Sequence, residues 1–86
     1  MATLIKTNGQ VSTVNPKNGT KFTLPELQRL VGGYVTRIVV NYHGAPHDLI
    51  VDEGAKWHGL PNNMCASIIA RRPIVGDALI VEQREW

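Results

Sequence analysis

Tyr34-Val35-Thr36-Arg37-Ile38-Val39-Val40-Asn41-Tyr42 decides how this chain folds. The run is almost entirely β-branched and aromatic, the composition that suits a pleated and half-buried surface. It reads as the main strand of a sheet. Gly44-Ala45-Pro46 breaks it. His47 to Asp52 then reads as its antiparallel partner, with Leu49, Ile50 and Val51 as its body. Asp52-Glu53-Gly54 turns the chain again, and Ala55 to His58 is expected as a short extra edge strand.

Upstream of the strand stands a helix. Thr23-Leu24-Pro25-Glu26 is a helix start: Thr23 caps the amide of Glu26, Glu26 reaches back, and Pro25 sits where its missing N–H costs nothing. Leu24, Leu27, Leu30 and Val31 are spaced for one helical face. Gly32-Gly33 ends the helix. Before it, Ala2 to Thr7 and Gln10 to Val14 flank Asn8-Gly9, a strong hairpin signal because both turn residues need positive φ. Downstream, Pro61-Asn62 opens a second helix of about Asn63 to Ala70, with Asn62 as a cap, Met64 and Ile68 turned to the core, and Cys65 and Ile69 as further candidates for that face. Arg71 and Arg72 follow at its C-terminal end, Pro73 stops it, and Ala78 to Gln83 is a last strand. The expected order is β-β-α-β-β-(β)-α-β. The expected fold is α+β: one small antiparallel or mixed sheet with two short helices, residues 1–86 forming a single domain.

Composition bounds the function. The chain has 86 residues, 43% of them hydrophobic. That suffices for one core and excludes a disordered chain. A domain this small hides only about 60–65% of its unfolded surface, so association is expected. A homo-oligomer, most simply a dimer, would cover the strand Tyr34 to Val40. The net charge is +2. A dedicated nucleic-acid binder would carry a larger excess or a basic stripe. Cys65 is the single cysteine, so no internal disulfide forms. No apolar run is long enough for a membrane helix, and Met1 to Thr7 has no signal-peptide pattern, so a cytoplasmic location is expected.

Few residues combine into chemistry. His43, His47, His58 and Cys65, with Asp48 and Asp52, are the possible metal ligands. His43 and His47 are separated by Gly44-Ala45-Pro46 and cannot share a helical face, so no metal site and no cofactor is expected. Cys65 lies between Met64 and Ala66 and reads as a buried small residue. Asp52, Glu53 and Asp77 read as turn residues. Trp57-His58-Gly59-Leu60-Pro61-Asn62-Asn63 is the more promising segment. It joins an aromatic platform to a helix start, and Arg71, Arg72 or Lys56 could add charge. The expected ligand-binding residues are therefore Trp57, Asn62, Asn63, Arg71 and Arg72, holding a base and a phosphate. Trp86 ends the chain in a charged tail, where it either packs back or meets a partner.

Four strings stand in order: Leu27-x-x-Leu30-Val31-Gly32-Gly33-Tyr34, Asp52-Glu53-Gly54, Gly59-Leu60-Pro61-x-Asn63, and Arg72-Pro73-Ile74-Val75-Gly76-Asp77-x-Leu79-x-Val81. Over about residues 3 to 82 the chain resembles a small α+β domain family of unknown function found in bacteriophages and bacterial mobile elements. The loop Asn41 to Asp48 departs from that pattern. The resemblance implies a compact α+β domain and an accessory gene, in a host cell's cytosol if phage-encoded, and transfers no catalytic residue. The first expectation is a non-enzymatic phage-type accessory protein. It would neutralise a host defence by binding, either sequestering a small nucleotide signal or blocking a host protein. The alternative is a nucleic-acid-binding accessory module using Arg37, Lys56, Arg71 and Arg72. A metal-dependent enzyme is third.

Overall fold

A computed structural model describes residues 2–55 and 57–86. The strands are β1 (Ala2–Ile5), β2 (Val11–Val14), β3 (Val35–Tyr42), β4 (Ala45–Asp52) and β5 (Ala78–Val81). The helices are α1 (Leu24–Val31) and α2 (Met64–Ala70), and a 3-10 turn spans Gln83–Glu85. The five strands form one sheet in the order β2-β1-β5-β4-β3, antiparallel throughout. The expected α+β architecture with two short helices is thus observed, and the sheet is antiparallel rather than mixed. The extra strand expected at Ala55 to His58 is absent. Ala55 and Trp57 to Gly59 are turn residues, and Lys56 lies outside the described residues. The turn amides bond locally instead: those of Trp57 and His58 both reach the Gly54 carbonyl, at 3.0 and 3.1 Å.

The β3–β4 hairpin is tighter than the sequence suggests. His43 and Gly44 form a two-residue turn, with φ of 53° and 78°, the handedness that matches the twist of the strands. Pro46 therefore lies inside β4, paired with Asn41. It is tolerated because its missing N–H falls on the β5 side, where the ladder stops at Asp48–Val81.

Alternation along the strands sorts the core into two layers. On one face Ala2, Leu4, Ile50, Leu79 and Val81 pack with Phe22, Leu27 and Val31, beneath α1. On the other, Ile5, Val40, Leu49, Val51, Ala78 and Ile80 pack with Ala66 and Ile74, beneath α2. The start of α1 is as the sequence implies. Thr23 accepts from the Glu26 amide and Glu26 accepts from that of Thr23. Glu26 also accepts from the Lys17 amide at 3.0 Å. The Lys17 amide first, and that of Thr23 next, hold the Glu26 carboxyl below its ordinary value.

The apolar faces of the helices differ from expectation in detail. Leu24, in the first turn of α1, is exposed, while Leu27 and Val31 are buried. In α2 the face is largely reversed: Met64 and Ile68 are 74% and 71% exposed, while Ala66 is fully buried and Ile69, also expected on the core face, packs partly buried against the same cluster. The cap explains this reversal. Asn63, one residue later than the expected Asn62, is the N-cap. Its burial points Ala66 at the sheet, and small side chains let the helix approach closely.

The C-terminus is tied down through Asp48, which is 1% exposed on β4. The Trp86 indole N–H donates to Asp48 Oδ2 at 2.9 Å, and the Arg37 guanidinium lies 3.6 Å from the same oxygen. The Phe22 amide donates to the Glu85 carbonyl. Trp86 is therefore packed back on the sheet. Leu27→Ala should lower unfolding free energy by about 2–5 kcal/mol in a urea titration, while Leu24→Ala, one turn earlier, should change it by under about 1 kcal/mol.

Candidate functional site

The end of β4 and the end of α1 meet around one carboxylate. Asp52 closes β4 and is 5% exposed. Its Oδ1 accepts from the Gly54 amide at 2.9 Å, which folds the turn. Its Oδ2 lies 3.1 Å from His58 Nδ1. An ionised carboxylate only accepts, so the pair places a proton on Nδ1 and leaves Nε2 for a ligand or water. The turn amides of 57 and 58 bring the ring back over Asp52. The His58 side chain is 55% exposed and that of Asp52 1%.

Gly33 is part of this arrangement. A Cβ on Gly33 would stand 2.6 Å from Asp52 Oδ1 and 2.7 Å from Oδ2. Its φ does not require glycine, so space does. Gly32, by contrast, has φ of 89° and terminates α1 by donating to the Gln28 carbonyl. The two glycines thus do separate jobs, one conformational and one steric.

Two hollows open beside His58. One, of about 530 Å³, is lined by Gln28, Arg29, Gly32, Gly33, Tyr34 and His58. The other, of about 320 Å³, shares Arg29, Gly32 and His58 and adds Thr7, Leu60 and Asp77 among its walls. Asp77 is held there by accepting from the Thr7 amide. Tyr34 is 78% exposed and Trp57 91% exposed. The Glu53 amide donates to the Tyr34 carbonyl, so both aromatic residues belong to the same end of the sheet.

The five residues expected to bind a ligand are dispersed. Asn63 is 1% exposed, and its side chain is committed inside the fold. Its Nδ2 donates to the carbonyls of Ile5 and Gly76 at 2.8 and 3.0 Å, and its Oδ1 accepts from the Ala66 amide. Asn62 is exposed and forms an isolated bridge with Val75. Arg71 caps the end of α2 with φ of 57°. Arg72 lines a cleft of about 480 Å³ on the α2 face with Thr36, Ile38, Glu53 and Pro73. Trp57 projects into solvent. None of the hollows described here is lined by more than one of the five.

Among the described residues, no three His, Cys, Asp or Glu side chains gather as a metal site. His43 and His47 pack edge-on against Tyr42. Cys65 is exposed rather than buried. The Asp52–His58 pair was not legible as a pair, although an Asp-x-Gly turn followed by a nearby His was the available signal. Gly33→Ala should cost about 1–3 kcal/mol, because the new methyl displaces a buried carboxylate. In an Asp52→Ala background the same change should cost markedly less. Additivity between the two sites in a double-mutant cycle would refute the contact.

No curated protein and no solved structure matches the chain at a significant level. The family model for a domain of unknown function, DUF3846, matches residues 1–85. With nearly its whole length matched, the chain belongs to the DUF3846 family.

Proposed function

We propose that the protein acts by binding, as a phage-type accessory protein that neutralises a host defence by occupying the surface of a host protein. The observation that carries this reading is Trp57, 91% exposed on a turn that the fold holds in place. Exposing an indole to water is unfavourable, and tryptophan beside tyrosine and arginine is the composition of interface hot spots. Tyr34, Arg29 and His58 supply such neighbours at the same end of the sheet. The Asp52 tether keeps His58 from wandering, so the surface is preorganised and loses less entropy on binding.

A nucleotide signal remains the second reading, moved to the hollow that Arg29 and His58 share. The Arg29 guanidinium can donate to a phosphate, His58 Nε2 can do so when the ring carries a second proton, and the volume suits a small ligand. Asp77 on its wall and the C-terminal end of α1 nearby oppose an anion, which is why protein binding ranks first.

The test is expression in bacteria carrying the defence, followed by phage growth and by affinity for the protein captured. Trp57→Ala should weaken that affinity by about thirtyfold or more, with the unfolding curve unchanged. A nucleotide panel that raises the melting temperature of the parent, with no host protein captured, would replace this reading with sequestration.

A further inference from the structure

The sheet ends on β3, and β3 pairs with β4 along its whole length without a bulge. The direction of its backbone groups follows from the ladder. The Tyr34 carbonyl accepts from the Glu53 amide, so Tyr34 and Glu53 stand at a hydrogen-bonded position. Such positions alternate in an antiparallel pair. Thr36, Ile38, Val40 and Tyr42 therefore aim their N–H and C=O groups at β4. Val35, Arg37, Val39 and Asn41 aim theirs away from the sheet. This edge has no proline and no lysine, the usual guards against pairing. Val39 is 60% exposed on it.

We infer that β3 pairs antiparallel with β3 of a second copy of this chain, about a twofold axis normal to the sheet and passing midway between the two copies of Ile38. Such an axis keeps each face of the sheet on its own side, so it requires that paired residue numbers have an even sum. The outward-facing set, all odd, meets that requirement. Centred on Ile38, Val35 meets the partner's Asn41 and Arg37 meets the partner's Val39. Every outward-facing residue then finds a hydrogen-bonding position. Moving the axis to Val39 leaves Val35 opposite the partner's His43, beyond the strand. Moving it to Arg37 sets that charge against its own copy. Pairing β3 with the partner's β2 is also inferior, because β2 has four residues against eight and a head-to-tail contact would not close. The large exposed apolar side chains Met64 and Ile68 sit on α2, the helix that packs chiefly over this strand.

The register makes Val39 the discriminating position. Within one chain Val39 stands opposite Asp48. Across the axis it stands opposite the partner's Arg37. Val39→Lys should therefore leave the folded chain intact and raise the dimer dissociation constant by about tenfold, since like charges then face each other twice. Val39→Pro removes an outward N–H and should abolish the dimer while β3 stays paired with β4. Sedimentation equilibrium reads both, with circular dichroism as the folding control. The parent should sediment at twice its 9.5 kDa. A parent that remains at 9.5 kDa up to about 100 μM overturns the inference. So does a dimer that Val39→Lys leaves as tight as before.

Discussion

One buried side chain fixes α2 against the sheet. Asn63 is only 1% exposed, and its amide spans elements far apart in sequence: β1 through Ile5, the approach to β5 through Gly76, and α2 through Ala66. Without these partners the buried Asn63 amide would be left unpaired away from water, at about 1–3 kcal/mol for each unmet group. Ser67 extends the clasp, with its hydroxyl on the Asn63 carbonyl and accepting from the Ile74 amide. The short helix α2 has little propensity to stand alone. Its position and the face it buries follow from this clasp, which is why Ala66 rather than Met64 meets the sheet.

The same clasp divides the segment 57–63 into two halves with different roles. Its end is sealed in the core. Its beginning, Trp57 and His58, stays at the surface, where the Asp52 turn returns the chain over the end of β4. Gly33 lets this turn close by leaving room for the carboxylate. The exposed aromatic residues and the tethered imidazole therefore sit on a held end of the sheet, where β3 begins and β4 ends.

Much of the fold was legible because local signals agreed with one another. The Thr23–Glu26 capping box, the hairpin signalled by Asn8-Gly9 and the β-branched run of β3 each act within a few residues, although the turn is longer than the expected two-residue one and Gly9 takes positive φ while Asn8 does not. The face of α2 was not legible, because Asn62 and Asn63 are equally good caps by type. Only long-range partners at Ile5 and Gly76 choose between them. For the same reason Asn63 reads in sequence as a polar group free for a ligand. Ala55 to His58 failed as a strand because Asp52 and Gly54 organise their own turn. His58 could not be joined to Asp52 from spacing alone, since five intervening positions fix no direction without that turn.

Hydrogen exchange of the Asn63 side-chain amide protons tests the central claim most directly. If Asn63 is the clasp, those protons exchange only when the whole domain unfolds, with the same opening free energy as the slowest amides of β5. Exchange at the rate of an exposed asparagine, in a protein whose β5 amides stay protected, would contradict the account.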